Sequence, residues 1–256
     1  MSISVNTQFL EQLLSTYTKE QQAVISADFE RNLVINAFAG TGKTFTLIGF
    51  AEVRPDSKIL YLAYNKSIRL EAEKKFEHLS NVTVKTTHGL AYSIFGKQYS
   101  ERFDKHGMNI PTMLYATYCD DVDEENRYYY AYVLSKIIKD FVYSAFTMEE
   151  YIEDMLKNRD KFEPNFGVPL NYFLAKIQTV WEDLTDNDDM PFEHDFYLKL
   201  YQLSEPFLQQ YNYILLDEAQ DANDCVIDVI MQQFRAKKVF IGDTYQQIYG
   251  WRGAVN

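Results

Sequence analysis

Short apolar runs alternate with amphipathic segments over the first 95 residues of the chain and again after residue 195. The runs are short enough for buried strands, whereas the segments between them repeat apolar side chains every three or four positions, as a helix does. The predicted strands are residues 33–35, 58–63, 82–84, 213–216 and 238–243. The predicted helices are residues 7–15, 18–25, 44–51, 67–76 and 225–234, with another that starts at Leu90. This alternation predicts a doubly wound α/β domain with a parallel sheet.

The middle of the chain shows a different pattern. Strand-like runs give way to helical segments, such as residues 127–146 and 169–184. Two acidic runs, residues 120–125 and 186–189, predict solvated loops. We therefore expect a helical subdomain of residues 96–193, inserted into an α/β domain that comprises residues 1–95 and 194–256.

Acidic side chains are concentrated in this predicted insert. The 256-residue chain has a net charge of −12, and residues 96–195 alone carry 10 basic and 21 acidic side chains. Because the flanking parts are nearly neutral, the overall charge does not exclude a nucleic-acid site there. The sequence has no membrane-spanning apolar run and no secretory signal pattern, and Cys119 and Cys225 are far apart. We expect a cytoplasmic protein with free thiols.

A glycine-rich turn follows the first predicted strand and opens a predicted helix. Its sequence is Ala37-Phe38-Ala39-Gly40-Thr41-Gly42-Lys43-Thr44. In this context glycines let backbone N–H groups point at phosphate oxygens, a lysine adds a full positive charge, and the next hydroxyl can bind Mg²⁺. Lys43 and Thr44 fit those two roles, although Ala37 replaces the usual first glycine. The alternative is a turn that binds nothing, which the Lys-Thr pair and the context disfavour.

An acidic pair follows the fourth predicted strand, at the end where ligands bind in an open parallel sheet. Downstream of a phosphate loop, Asp217 can hold Mg²⁺ while Glu218 orients and activates a water for attack on a phosphate. Gln21, upstream of the loop, has two interpretations. Its amide can complete a capping box with Thr18, or it can contact the edge of adenine.

Six ordered motifs resemble those of the first half of superfamily 1A DNA helicases, the group of UvrD, PcrA and Rep. They are residues 18–21 (Q motif), 37–44 (motif I), 63–66 (motif Ia), 86–89 (motif Ib), 217–220 (motif II) and 242–254 (motif III). The chain is most similar to the F-box DNA helicase branch. Its motif Ia, Tyr-Asn-Lys, is one residue shorter than in UvrD-like members, and residues 194–200 resemble a segment typical of that branch.

The resemblance implies a RecA-like P-loop NTPase domain, 1A, with an inserted helical domain, 1B, and it implies ATP and Mg²⁺ as cofactors. The implied catalytic residues are Lys43, Glu218 and Gln246. The implied nucleotide-binding residues are Gln21, Ala37, Ala39, Gly40, Thr41, Gly42, Lys43 and Thr44, and the implied metal ligands are Thr44 and Asp217. The implied DNA-binding residues are Tyr64, Asn65, Thr86, His88, Tyr249, Trp251 and Arg252.

Three of the DNA-facing residues also have a structural alternative. Aromatic faces stack on bases without reading sequence, for about 1–3 kcal/mol per base, but core packing is the usual role of aromatic side chains such as Tyr249 and Trp251. Their position directly after Gln246 favours the DNA role. His88 could contact the DNA backbone or simply cap a helix.

In the resembled family a second RecA-like domain supplies arginines that reach the γ-phosphate. One hypothesis is therefore the N-terminal ATP-binding half of an ATP-dependent 3′-to-5′ DNA helicase, weakly active by itself and favoured by the end of the chain at Asn256. Its expected partners are single-stranded DNA and the second domain, from a missing half or a partner chain, with a nucleoid-associated location as one option. The alternative is a non-motor module that binds ATP and single-stranded DNA, or docks a protein through the acidic insert. A small-molecule kinase is disfavoured, because such enzymes lack an Asp-Glu-Ala-Gln segment, like that of residues 217–220, followed by a segment like that of residues 246–252.

Overall fold

A computed structural model describes residues 7–38, 40–103 and 110–243 of the chain. The chain divides into two compact units. One contains the residues up to Leu90 and those from Glu205 onward, and the other is Ala91–Ser204. The first unit holds a parallel β-sheet and the second is helical. The predicted α/β fold with a parallel sheet is confirmed.

Five parallel strands form the sheet, in the spatial order β1-β5-β4-β2-β3. Their bounds are β1 (Asn32–Asn36), β2 (Ile59–Ala63), β3 (Val82–Thr86), β4 (Tyr213–Asp217) and β5 (Lys237–Gly242). Strand β2 is buried along its whole length, whereas exposed and half-buried residues alternate in β1, at the edge of the sheet. An apolar run without alternation is what a strand covered on both faces requires. All five strands end at one edge, so the loops that follow them lie at that edge.

Two helices of this unit precede the first strand, and the others follow strands. The helices are α1 (Thr7–Leu14), α2 (Lys19–Ile25), α3 (Lys43–Glu52), α4 (Lys66–Lys75) and α13 (Asp224–Met231), while α5 (Thr87–Ile94) leads from the first unit to the second. Leu47 and Phe50 of α3 are fully buried against the sheet, in a core that includes Tyr61, Leu215 and Val239. The predicted helix start at Leu90 was wrong, because the helix begins at Thr87.

Arg54 holds α2 against α3. Its guanidinium donates to the carbonyl oxygens of Ile25 at 2.7 Å, Ala27 at 2.8 Å and Phe50 at 3.0 Å. The guanidinium carbon also lies 3.7 Å from the centroid of the Phe50 ring. These contacts satisfy carbonyls at the end of α2 and fix the helix that carries Gln21 beside the helix that follows the glycine-rich loop.

The second unit is made of helices. They are α6 (Ile110–Tyr118), α7 (Glu124–Tyr143), α8 (Met148–Lys157), α9 (Arg159–Phe166), α10 (Leu170–Leu174), α11 (Ile177–Asp186) and α12 (His194–Leu203), with a 3₁₀ helix over Gly96–Arg102. Two buried cationic side chains, Arg102 and Lys199, donate hydrogen bonds to backbone carbonyls and so hold the segments between these helices. Arg102 donates to the carbonyl oxygens of Leu184, Thr185 and Met190 at 2.8–3.1 Å. Lys199 donates to those of Ser144 at 3.0 Å and Phe146 at 2.6 Å.

The compact helical unit begins five residues before the predicted insert and ends eleven residues after it. The reason is aromatic packing by α12. Phe196 lies edge-on to Trp181 at a ring-centroid distance of 5.6 Å, and Tyr197 does the same to Tyr92 at 5.8 Å. The predicted domain boundaries at 96 and 193 stay a prediction. The compact helical unit itself is Ala91–Ser204.

Two local predictions in this unit were wrong. Residues 169–184 form two helices, α10 and α11, separated by Ala175 and Lys176, and Lys176 anchors this connection by donating from Nζ to the Tyr118 carbonyl and the Asp121 carboxylate. The acidic run 120–125 is not entirely loop, since Glu124 and Glu125 form the first turn of α7. Carboxylates are favourable there because they face the positive end of the helix dipole. Within the described part of the chain, no helix combines the length and apolarity needed to cross a membrane.

Candidate active site

The glycine-rich loop leaves β1 at the carboxyl edge of the sheet. The Ala37 N–H donates to the Gly242 carbonyl at 2.8 Å, which ties the start of the loop to the end of β5. Gly40 and Gly42 have φ of 75° and 81°, in the left-handed region that favours glycine. Helix α3 then begins at Lys43, so its N-terminal N–H groups face the loop. Ala39, a predicted binding residue, lies outside the described residues.

This loop borders a cavity of about 370 Å³. The cavity is lined by Gly40, Gly42, Lys43, Thr44, Phe45, Lys75 and Glu218. A Cβ built at Gly40 would meet no atom within 4 Å, so this glycine faces open space, as a backbone that receives a bulky anion must. A left-handed glycine turn, a helix N-terminus and a lysine around one cavity are the chemistry that binds phosphate groups.

The acidic pair comes to the same place from β4. Lys43 Nζ lies 3.2 Å from Glu218 Oε2, and the two side chains are 11% and 26% exposed. Glu218 has φ 52° and ψ 46°, a left-handed conformation that costs a non-glycine residue about 1 kcal/mol or more. The strained backbone turns its carboxylate toward the phosphate loop. The predicted catalytic residues Lys43 and Glu218 are thus brought together.

Asp217 is 97% buried, being only 3% exposed, and both of its carboxylate oxygens accept hydrogen bonds. The Tyr61 hydroxyl donates to Oδ2, and the Glu218 N–H donates to Oδ1 at 3.0 Å. Burial raises the pKa of Asp217 above the usual value of an aspartic acid, and the hydrogen bond from Tyr61 opposes that shift. The carboxylate is therefore held in one orientation inside the protein.

The oxygen donors of this region fit a magnesium ion. Thr44, Asp217 and Glu218 line a second cavity, of about 210 Å³, with Tyr61 and part of α4. Mg²⁺ prefers hard oxygen ligands and is commonly held by one or two protein groups, with water and substrate phosphates completing the octahedron. In line with that mode, the described residues contain no cluster of three or more histidine, cysteine or acidic ligands. Thr44 and Asp217 are the two groups that would hold the ion.

Gln21 reaches the phosphate loop. It completes the predicted capping box of α2 with Thr18, and its Nε2 donates to the Thr41 carbonyl at 3.0 Å. Each amide end keeps capacity for one more hydrogen bond, so the capping role and an adenine contact are compatible. Gln21 also lines a third cavity, of about 560 Å³, together with Ala37 and Thr41.

The predicted DNA-facing residues that are described lie at the ends of β2 and β3. Ala63 pairs with Thr86 in the sheet, so Tyr64 and Asn65 emerge beside Thr86. Two of these side chains have structural duties. Asn65 Oδ1 caps α4 by accepting from Ile68 N at 2.9 Å, and Thr86 Oγ1 accepts from Gly89 N at 2.9 Å. His88 is half-buried in the first turn of α5.

The remaining predicted site residues, Gln246, Tyr249, Trp251 and Arg252, lie outside the described residues.

A family model for the UvrD/REP helicase N-terminal domain matches residues 17–256 of the chain. The chain belongs to this helicase family. The predicted resemblance is therefore confirmed, and the five-stranded parallel sheet is its RecA-like domain 1A.

Curated relatives of this helicase domain include F-box DNA helicase 1 of Gallus gallus, 32% identical over 250 residues, and F-box DNA helicase protein 1 of Schizosaccharomyces pombe, 31% identical over 253 residues. A probable DNA helicase of Mycoplasma pneumoniae is 23% identical over 266 residues. Each match covers 93% of the chain. The matched regions make up 24%, 28% and 48% of those relatives, so the chain spans about a quarter of the two F-box helicases.

Two residues of the helicase domain's site were missed in the sequence. Tyr61 lies in the apolar strand β2, and its hydroxyl was the one feature in the sequence that could have indicated a polar contact with Asp217. Gln220 was noted only as part of motif II, but its Nε2 donates to Glu218 Oε2 at 2.9 Å and its Oε1 accepts from Asp243 N at 3.0 Å. A Cβ at Gly242 would lie 2.3 Å from that Oε1, so the close approach of β5 requires glycine. Gln220 thereby joins the acidic pair to the start of motif III.

Proposed function

We propose that this chain is the N-terminal ATP-binding half of an ATP-dependent 3′-to-5′ DNA helicase or translocase that binds ATP with Mg²⁺ and single-stranded DNA. One observation carries the proposal: Lys43, Thr44, Asp217 and Glu218, from two separate parts of the sequence, line adjoining cavities beside a left-handed glycine loop. The family supports DNA as the polymer acted on, and the 3′-to-5′ direction rests on the family resemblance alone.

The proposed chemistry follows from the groups at hand. The loop N–H groups and Lys43 would bind the β- and γ-phosphates, and Glu218 would orient a water and accept its proton as the water attacks the γ-phosphorus. The bond from the γ-phosphorus to the β–γ bridging oxygen would break at the same time, so that ADP leaves and inorganic phosphate forms. Magnesium, when bound at Thr44 and Asp217, would neutralise charge on the phosphate oxygens. Gln220 would keep the Glu218 carboxylate aimed, because it donates to the same oxygen that faces Lys43. Gln246 would sense the γ-phosphate.

The proposed DNA surface starts at the ends of β2 and β3. Tyr64, Asn65, Thr86 and His88 would contact the strand there, and Tyr249, Trp251 and Arg252 would complete that surface. Neither the stacking of aromatic side chains on bases nor contacts to the backbone depends on base sequence, which suits a motor that moves along any strand. A second RecA-like domain would supply arginines to the γ-phosphate, a contribution on the order of 10³–10⁵ in rate.

The test is nucleotide binding and ATP hydrolysis by this polypeptide, with and without single-stranded DNA, beside Lys43→Ala and Glu218→Gln. We expect the unmodified protein to bind nucleotide and Lys43→Ala to abolish that binding. We also expect little turnover of ATP until a second domain is added. DNA-stimulated turnover that Glu218→Gln removes would show a site completed by a second copy of the chain. Absence of magnesium-dependent nucleotide binding by the unmodified protein would overturn the proposal, and binding without any DNA affinity would favour a non-motor module.

A further inference from the structure

One face of α4 borders the proposed catalytic cavity. Its residues recur at helical spacing along this face: Ile68, Glu71, Ala72 and Lys75 line the 210 Å³ cavity together with Thr44, Asp217 and Glu218. Positions i, i+3, i+4 and i+7 form a single stripe on a helix. Ala72 is buried in the core of the sheet domain, so this stripe is the face of α4 that packs toward the sheet.

Lys75 lies where two cavities meet. It lines the 210 Å³ cavity that contains the predicted metal ligands, and it also lines the 370 Å³ cavity formed by the phosphate loop with Lys43. Lys75, Thr44 and Glu218 are the residues common to both cavities. Two lysines, Lys43 from the loop and Lys75 from α4, therefore line the same cavity.

The present partner of Lys75 is weakly held. Its Nζ lies 2.6 Å from Glu71 Oε1, in a pair whose side chains are 43% and 65% exposed. Exposed pairs at i and i+4 contribute little to stability, because water screens them and two long side chains must be ordered. Lys75 can therefore exchange this carboxylate for a more highly charged anion without disturbing the fold. Its flexible four-carbon stem gives the ammonium group the necessary reach.

We propose that Lys75 is a second phosphate-binding cation, specific for the terminal phosphate of a nucleoside triphosphate, with Glu71 as its exchangeable partner. The inference rests on the proposed function, since it assigns a further residue to the same nucleotide site. Lys43 lies in the loop itself and would serve the phosphates of either nucleotide. Lys75 lies on α4, outside the loop, and lines both cavities with Glu218, the residue that faces the γ-phosphate in the proposed function. Lys75 thus discriminates triphosphate from diphosphate.

Equilibrium binding of a fluorescent non-hydrolysable ATP analogue and of fluorescent ADP, both with Mg²⁺, tests this assignment. We expect Lys75→Ala to weaken binding of the ATP analogue on the order of tenfold, as loss of one charge-assisted contact does, and to change ADP binding less than about twofold. Lys74→Ala is the matched control, because Lys74 is the exposed neighbour on the same helix and lines neither cavity. Lys43→Ala should abolish binding of both nucleotides.

A second pair of variants tests the role of Glu71. Glu71→Gln should tighten binding of the ATP analogue by a few-fold, since it frees Lys75, whereas Glu73→Gln, which removes the same charge from a carboxylate paired with Arg69, should not. Equal affinities of Lys75→Ala and Lys74→Ala for both nucleotides would overturn the assignment while leaving the proposed function intact. Failure of the unmodified protein to bind either nucleotide would overturn both.

Discussion

Lys43 Nζ and Glu218 Oε2 are 3.2 Å apart, so these two oppositely charged side chains of the candidate site form an ion pair. A phosphate that binds Lys43 must compete with this carboxylate for the same ammonium group. It must also approach a negative charge in a partly buried place, where screening by water is reduced. The pairing orients the two side chains and at the same time opposes binding of nucleotide.

Glu218→Gln should therefore bind nucleotide more tightly, by roughly three- to tenfold, because one negative charge beside the phosphates is removed. The same substitution should abolish hydrolysis, since an amide cannot accept the proton of the attacking water. Equilibrium binding and turnover, measured on the same preparation, check both effects. Glu205→Gln is a suitable control, because Glu205 is the other described non-glycine residue with positive φ and no described cavity of the site includes it.

Tyr61→Phe should raise the Mg²⁺ concentration needed for half-maximal nucleotide binding by several-fold, because Asp217 loses the donor that fixes its carboxylate. It should also lower the free energy of unfolding by about 1–3 kcal/mol, the usual cost of an unsatisfied buried acceptor. A magnesium titration separates the two effects. A loss of stability with an unchanged magnesium requirement would mean that Tyr61 is purely structural.

The pH dependence of stability without divalent metal follows from Asp217. Burial raises the pKa of Asp217, so the folded protein binds a proton at this carboxylate more tightly than the unfolded chain does. Aspartates of an unfolded chain titrate at about pH 4. The stabilising contribution is fully present below that pH and is lost as the pH rises through the raised pKa. Asp217→Asn should remove this part of the pH dependence. The check is the melting temperature of the variant and of the unmodified protein, measured at the same series of pH values.

The two glycines of the phosphate loop should respond differently to alanine. Both substitutions place a Cβ in left-handed backbone, at a cost of about 1–2 kcal/mol. At Gly42 the added Cβ would also lie 3.0 Å from Gln21 Nε2, whereas at Gly40 it would meet no atom within 4 Å. Gly42→Ala should therefore lower the melting temperature more than Gly40→Ala. Similar losses in both variants would mean that Gln21 moves aside freely.

Arg102→Leu should destabilise the helical unit by about 2–4 kcal/mol. Three buried carbonyl groups, at Leu184, Thr185 and Met190, would lose their charged donor. Hydrogen exchange across Ala91–Ser204 would locate the loss of protection within that unit. Arg159→Leu, at an exposed ion pair of the same unit, should change stability by about 0.5 kcal/mol or less.

The strands could be predicted because a parallel sheet covered on both faces demands continuous apolar runs, and β2 and β4 have them. Helix breaks in the second unit could not. Lys176, in the connection between α10 and α11, donates to the Tyr118 carbonyl and to Asp121, more than 50 residues earlier in the chain, and no local pattern reports such a distant partner. The position of α12 depends similarly on aromatic contacts with Trp181 and Tyr92.

That the glycine-rich loop and the acidic pair lie together could be predicted, because phosphate chemistry restricts both residue type and spacing, while their binding roles stay predictions. The places of Tyr61, Gln220 and Lys75 could not be predicted, since each reaches the site only through the packing of its strand, turn or helix. A tyrosine in an apolar strand and a lysine on a charged helix are ordinary in any sequence. Only the fold shows that the hydroxyl meets Asp217 and that the lysine lines the cavity beside the glycine-rich loop.

Helix α4 is capped at one end by Asn65 and carries Lys75 at the other, ten residues of regular helix or about 15 Å apart. In the proposed function Asn65 contacts DNA at one end of this helix, and in the proposed assignment Lys75 contacts a phosphate at the other. A rigid helix would then couple the two proposed sites mechanically. Thermodynamic linkage then requires reciprocity: whatever factor bound DNA applies to triphosphate affinity through this helix, triphosphate applies to DNA affinity. Measuring one coupling determines the other, and a proline inside α4 should abolish both together.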